Sequence, residues 1–581
     1  MKEPLQTQTP WPQLTQDTDF WQTLAITILP AYANTCRWFA GKARAQTGFS
    51  VETINQLPTA NGLAYLLIIG VQYAEGESER YLLPLAFVPT DSSALTDIPD
   101  KGRITTAQIG GVSGVLVDAI YDVDFRSALF LNIAQNRVIK QAEGQIACFR
   151  GRRLVEDGPA PAYRSHGGPA RNAASPAYRS HGDETMPSRV LPVDSSNSAM
   201  VFGTPMHETY FLKLYRKLFE QTNPEVEMVA FLTEESGFAH IPAFCGSVVW
   251  QQAGAVITLG MVQRMVPNDQ DSWNQTGDYL NDFLYAVPNR MFAISEDVFD
   301  KVELLGKRTA QMHLGLYQPM TEDIAFAPEP FTDEYRTFLT QRFADLLDRR
   351  YALLIDNYAK LDAQAQRLAW VFMEAKEMID AFVAEFRTRP IHSLRIRIHG
   401  DYHLGQVLAV TTGTPGRDRT QDDFVIIDFE GEPESTIADR KIKHSPLKDV
   451  AGMIRSYHYA VSAKLFNAAE TEAIDPDHLQ RVSDRWFYLI RDTYLDAYLN
   501  EFGSPHPLFK DNNEINFLLL VYLLEKAVYE LGYEISYRPA WVKIPLKGII
   551  DVVREIEKIR ISDRGHDSGL SMLQTGLLGG K

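Results

Sequence analysis

Cysteine is scarce in this chain of 581 residues, with only Cys36, Cys148 and Cys245. Their wide separation matches neither a zinc-ligand spacing nor a disulfide framework, and a reducing compartment fits best. Positive charge is also in deficit: 57 Lys and Arg stand against 74 Asp and Glu, a formal net charge of -17. Such a surface repels phosphate backbones and anionic lipid, which argues against nucleic acid or a membrane as partner. A nucleotide is not excluded, because ATP needs only a local cluster of cations and Mg2+. Long apolar runs are missing too. The longest, Phe517 to Leu524, soon meets Glu525 and Lys526, and the N-terminal MKEPLQTQTPWPQLTQ has no apolar signal core. The expectation is a cytoplasmic protein without a membrane span.

What is present is an ordinary globular balance, 45% hydrophobic and 23% charged, over a length that exceeds one hydrophobic core. Periodicity reads the first hundred residues as a small α+β unit, with a helix around Phe20 to Tyr32 and strands in LAYLLIIGVQYA and ERYLLPLAFV. A helix in VDFRSALFLNIAQ precedes a Pro-, Gly-, Ala- and Ser-rich stretch. PAYRSHG occurs there twice, at Pro161 to Gly167 and Pro176 to Gly182; two copies make no solenoid, and His166 and His181 receive no function. From Met200 the order is strand, strand, helix (about Pro224 to Ser236), strand, strand, and after Asp271 helical periodicity dominates. One hairpin interrupts the helices, QVLAV and DDFVIIDFEG joined by TTGTPGRDRTQ. The expected organisation is a small α+β subdomain over 1–105 and an intermediate, strand-rich subdomain over 106–265 with a flexible insert at 155–189. A helical lobe over 266–562 and a frayed tail over 563–581 follow.

The chemistry concentrates in IRIHGDYHLGQVLAV and FVIIDFEG. Phosphoryl transfer needs an Asp to accept the proton of the attacking hydroxyl and two oxygen-bearing side chains to hold Mg2+ on the phosphates. Asp401, Gln406 and Asp428 fill those roles in order, and Glu430 adds a carboxylate. Upstream, Lys213 lies in the apolar strand YFLKLY, where an inward lysine needs a phosphate or carboxylate partner. Of Glu225 and Glu227 on the following helix, Glu227 is the favoured partner. Ser195, Ser196, Asn197 and Ser198 form a polar turn able to cradle phosphate. The backbone from Gln263 to Met265 is expected to meet adenine. His399 is expected to brace the catalytic loop, and His313 to be a satisfied interior histidine.

These motifs resemble the maltokinases, a branch of the aminoglycoside-phosphotransferase-like, protein-kinase-like superfamily whose members are often fused to trehalose synthase. RWFAGKAR at Arg37 to Arg44 resembles the signature of their N-terminal cap. HGDYHLGQ and DFEGEP resemble their catalytic core, and RKIKHSPLKDVAGMIRSYHYA and EKAVYELGYEISYRPAWVKIPLKG extend the likeness. The implied fold is α+β and bilobal, with a cap subdomain, a mixed β-sheet N-lobe and a mostly helical C-lobe. The resemblance implies ATP and Mg2+ as cosubstrate and metal, maltose as acceptor, and maltose 1-phosphate as product feeding α-glucan and glycogen synthesis. It carries over Asp401 as base, Gln406 and Asp428 as metal ligands and Lys213 as phosphate contact, with a trehalose synthase as partner. The insert, the glycine-poor turn and Gly532 in YELGYE depart from the pattern. Aromatic platforms and charged groups suited to a sugar suggest His403, Tyr529, Tyr533, Glu534, Arg538 and Trp541 as acceptor contacts. The alternatives are a kinase of another hydroxylated small molecule, such as an aminoglycoside, choline or another sugar, and a non-catalytic module partnering a trehalose synthase.

Overall fold

The computed structural model describes residues 4–154, 186–192, 196–204, 207–286, 294–412, 421–433, 435–467 and 475–565. Both PAYRSHG copies, most of the expected insert at 155–189, Ser195 and the tail beyond 565 lie outside the described residues. The chain divides into two compact units, Met1–Val266 and Pro267–Lys581.

The first unit holds two seven-stranded sheets. In the first, strands run in the order Leu5–Thr7, Arg103–Ile109, Val112–Asp118, Glu79–Pro89, Gly62–Tyr73, Gln46–Thr59, with Lys217–Leu218 pairing on Glu79–Pro89. The near-continuous apolar run of Gly62–Tyr73 exists because both faces of that strand are covered. Leu66 and Ile68 enter one core and Tyr65, Leu67 and Ile69 the other, as the two-residue strand period requires. Trp38 and Phe39 of RWFAGKAR are buried in the second of these cores. Arg44 reaches Glu79 at 3.0 Å and lies 3.5 Å over the Tyr73 ring. The helix Val123–Ala134 starts at Asp122, whose side chain accepts from the Asp124 N–H. It buries Phe125, Leu129, Phe130 and Ile133 in the core shared with the second sheet.

That second sheet has the order Val138–Gln141, Gly144–Arg150, Phe244–Gln252, Ala255–Arg264, His207–Leu214, Ser198–Thr204, Ser188–Val190. Lys213 sits in it between Ala199 and Met261 on the flanking strands. Arg216 ties the two sheets together from a fully buried position. Its guanidinium bonds Asp118 Oδ2 (2.6 Å), Ser198 Oγ (2.8 Å) and the Leu82 carbonyl (3.2 Å).

The second unit is mostly helical, as its periodicity indicates. Its long helices are Glu296–Leu316, Asp333–Asn357, Leu447–Asn467, Pro476–Glu501, Asn512–Tyr537 and Lys543–Gly565. The expected hairpin is present as Val407–Thr412 paired with Gln421–Ile426, with Gln270–Asp271 added at its edge. No helix among the described residues is long and apolar enough to cross a membrane.

Candidate active site

The strand Gln421–Ile426 and the loop before Val407–Thr412 deliver the catalytic motif. Gly400 has φ +85, a conformation that L side chains rarely adopt, and it turns the chain into Asp401. The loop is clamped from one face of the helix Leu447–Asn467. Asp449 accepts the His399 N–H (2.7 Å) and the Gly400 N–H (2.9 Å), and Ser456 Oγ accepts the Leu404 N–H (3.1 Å). Between them, Gly452 passes so close to the loop that an added Cβ would lie 2.6 Å from the Tyr402 carbonyl oxygen. Positions 449, 452 and 456 follow helical spacing, so one face does all three jobs. Asp449 is itself braced by His313 Nε2 at 3.1 Å, and His313 Nδ1 meets the Tyr498 hydroxyl at 2.9 Å. His313 is thus a satisfied interior histidine. His399 Nε2 bonds the Ile427 carbonyl at 2.9 Å, which pins the HGD loop to the strand that ends in Asp428.

Those clamps bring the second unit's candidate residues together. Gln406 closes a short 3-10 turn and donates its Nε2–H to Asp428 Oδ2 at 2.9 Å. Asp428 has φ +66, and its carboxylate oxygen and that of Glu430 lie within 4.8 Å of each other. His403 Nε2 stands 4.0 Å from Asp401 Oδ2, while its Nδ1 accepts the Gly405 N–H at 3.1 Å. Lys526, on the helix Asn512–Tyr537, donates to Asp401 Oδ1 at 3.3 Å. Burial raises the Asp401 carboxyl, but the charge of Lys526, with His403 and His399, more than offsets it and holds it below the usual carboxylate range. Burial, reinforced by Lys526, keeps His403 below the usual imidazole range although Asp401 opposes it. Burial would lower Lys526, yet Asp401, Glu432 and Glu530 raise it above an ordinary lysine.

The donor set of Gln406, Asp428 and Glu430 consists of hard oxygens on neighbouring groups, which fits Mg2+. Asp401, on the same loop, is a carboxylate that Lys526 holds in its ionised form. The arrangement can accept a proton and hold a metal-bound phosphate in one place.

In the first unit, Lys213 Nζ pairs with Glu225 Oε2 at 2.9 Å, and both side chains are largely buried. This corrects the expectation of Glu227. On a helix, positions two apart point about 200° around the axis from each other, so only one could face Lys213, and Glu225 is the buried one. The Tyr215 hydroxyl donates to the same oxygen at 2.8 Å, and the Asn223 side chain caps the Glu225 N–H at 2.8 Å.

Asn197 Oδ1 accepts the Arg216 N–H (3.3 Å) and Ser198 Oγ accepts from Arg216 Nε (2.8 Å), so these two oxygens hold the sheet-bridging arginine. Ser196 is exposed. Gln263 is a ladder residue paired with Phe211 and Phe244, and the Met265 N–H donates to the Thr209 carbonyl at 2.9 Å. Of the backbone expected to meet adenine, the Met265 N–H is thus engaged by Thr209.

Of the proposed acceptor contacts on the C-terminal motif, only Tyr529 lines the cavity beside Asp401. This cavity, about 310 Å³, is bounded by Gly400, Tyr402, Lys526 and Tyr529 among others. Tyr533, Glu534, Arg538 and Trp541 are not in its lining. Glu534 is buried and accepts from the Tyr459 hydroxyl (2.7 Å) and Arg538 Nη2 (2.6 Å), while Arg538 lies over the rings of Tyr533 and Trp541. The physical reason is helix geometry: at 1.5 Å rise per residue the helix carries Tyr533 ~10 Å beyond Lys526, and Arg538 and Trp541 lie past its end at Tyr537. The sequence reading missed Lys526 and Asp449. Both lie inside the quoted motifs, and the 449, 452, 456 spacing was the available signal.

Residues 32–122 match the family model of the maltokinase N-terminal cap domain. A solved glucosamine kinase in complex with glucosamine, ADP and inorganic phosphate superposes with TM-score 0.58 at 18% identity, covering 92% of this chain and 99% of that one. A second glucosamine kinase structure, crystal form A, gives TM-score 0.56 at 18% identity over 92% and 98% of the two chains. The glucosamine kinase of Streptacidiphilus jiangxiensis is 24% identical over 374 residues, 63% of this chain and 74% of that protein. The fold is therefore the α+β fold of kinase-like sugar kinases. Within it, the chain carries the N-terminal cap domain of the maltokinases.

Proposed function

We propose that the chain transfers the γ-phosphoryl group of ATP to the reducing-end hydroxyl of maltose, forming maltose 1-phosphate for α-glucan and glycogen synthesis. The observation that carries the transfer is the gathering of Asp401, Gln406, Asp428 and Glu430 around one loop and strand end. The maltokinase cap supports maltose as acceptor, and the ADP held by a glucosamine kinase of this fold supports ATP as donor.

In this reading Asp401 takes the proton of the attacking hydroxyl. Lys526 and the neighbouring imidazoles keep it ionised until then. His403, beside the base, orients that hydroxyl. Mg2+, held by Gln406 and Asp428 with help from Glu430, would neutralise the phosphate oxygens. Lys213, aligned by Glu225, supplies a cation for the nucleotide's phosphates. A cytoplasmic setting suits the three reduced, buried cysteines, and a trehalose synthase partner is an expectation for co-purification to test.

The test is ADP release with Mg2+ and ATP across maltose, glucose, glucosamine, trehalose and an aminoglycoside. Maltose should give the highest kcat/KM, and Asp401→Asn should lower kcat by about 10²–10⁴-fold with ADP binding retained. A different preferred acceptor would replace maltose. Full activity of the Asn variant would remove Asp401 as base.

A further inference from the structure

The Lys526 ammonium is shared between carboxylates. It donates to Asp401 Oδ1 at 3.3 Å, and the charges of Glu432 and Glu530 act on it as well. Glu530 stands four residues further along the same helix, Asn512–Tyr537. Side chains at that spacing are neighbours on one helix face, where a lysine and a glutamate attract each other. Glu530 is therefore a rival to Asp401 for one cation.

That rival is already engaged. Arg455, buried on the helix Leu447–Asn467, donates through Nε and Nη2 to Glu530 Oε2, at 3.0 and 2.5 Å. Its Nη1 lies 3.1 Å from His458 Nδ1, and since a guanidinium only donates, the imidazole accepts. Burial, then the charge of Arg455, hold His458 well below the usual imidazole range, so it keeps the lone pair that this bond needs. Gly548, on the helix Lys543–Gly565, completes the seat. A Cβ there would collide with Arg455 Nη1 and lie 2.6 Å from its Cζ, so any side chain at 548 would displace the guanidinium.

We propose that Arg455 is a positioning residue for the base: by engaging Glu530 it leaves Lys526 to pair with Asp401, and without it Lys526 turns to Glu530 and Asp401 loses that cation. Arg455 is not in the lining of the cavity beside Asp401 and acts through two other side chains. The inference rests on Asp401 as base in the sugar-kinase reading and deepens it.

Crystal structures of the full chain and of Arg455→Met, which removes the charge and keeps an unbranched side chain, read the pairing directly. Lys526 Nζ should lie on Asp401 in the wild type and on Glu530 in the variant, and return to Asp401 in Arg455→Met/Glu530→Gln. Gly548→Ala leaves both partners in the sequence and displaces only a flexible side-chain end; it should move Lys526 in the same direction, and it carries the test if Arg455→Met does not fold. In ADP-release assays Arg455→Met should lower kcat roughly tenfold with the KM for ATP nearly unchanged. A purely structural role would cost the same factor in a Lys526→Gln background, whereas a route through Lys526 leaves no further loss there. Lys526 still on Asp401 in the Met or Ala variant, or a loss that persists in Lys526→Gln, would overturn the proposal. A wild type that released no ADP with any sugar would fail the kinase reading, and the crystal structures would still decide the pairing.

Discussion

Asp449→Asn is the sharpest perturbation of the catalytic loop, because it changes one atom and leaves the shape intact. The carboxylate is buried to 1% exposure and both oxygens only accept: Oδ2 from the His399 N–H and His313, Oδ1 from the Gly400 N–H. An amide retains one acceptor. If its oxygen takes the Oδ2 position, its NH2 faces the Gly400 N–H, donor against donor; the flipped amide instead opposes the His399 N–H. Either way a buried backbone donor loses its partner, at a cost of about 1–3 kcal/mol. That donor sits one or two residues before Asp401, so the loosened loop should misplace the base. We expect kcat to fall roughly 10–100-fold, because small misplacements of a catalytic group are costly, with the KM for ATP and sugar nearly unchanged. Urea unfolding should show a loss of stability within the 1–3 kcal/mol range above. Wild-type kcat and unfolding midpoint in the Asn variant would refute the view that Asp449 positions the loop. A rise in KM alone would show instead that Asp449 acts through the cavity it lines.

Two further outcomes concern stability. Arg216→Met should destabilise the first unit by about 3–5 kcal/mol, since it strands Asp118 as a buried charge. The double variant with Asp118→Asn should recover much of that loss, and a double-mutant cycle in guanidinium checks it. His444 is buried against the Tyr335 hydroxyl at 2.7 Å; burial, then the charges of Lys448, Arg342 and Arg395, hold it well below the usual imidazole range. With the folded value below the unfolded value of about 6.5, the unfolded chain binds more protons as pH falls. The stabilisation is complete above about pH 6.5 and declines below it. His458 is held well below the usual range in the same way. Unfolding midpoints should therefore fall between pH 7.5 and 5, and less steeply in His444→Gln; equal slopes would count against the assignment.

The catalytic pattern was legible in one dimension because its residues sit within a few positions of a loop and a strand end. Asp401, Gln406 and Asp428 are joined by a turn and a hairpin, and short-range geometry brings them together. The strands were legible where apolar runs had to be buried, as in Gly62–Tyr73. The choice of Glu225 over Glu227 depended on which helix face meets the sheet, and spacing alone is neutral between them. The expected acceptor contacts on the C-terminal motif, Tyr529 apart, lie off the lining of the cavity for a related reason. A motif written contiguously along Asn512–Tyr537 spans many helix turns, so its aromatic and charged residues diverge toward different surroundings. Composition, periodicity and the HGD and DFEG motifs by themselves determined the class of fold and singled out the loop proposed to carry the chemistry. Only the tertiary structure decided that Lys526 and Asp449 border that loop. Those residues lie tens of positions from it in the chain, and the packing of separate helices brings them beside Asp401.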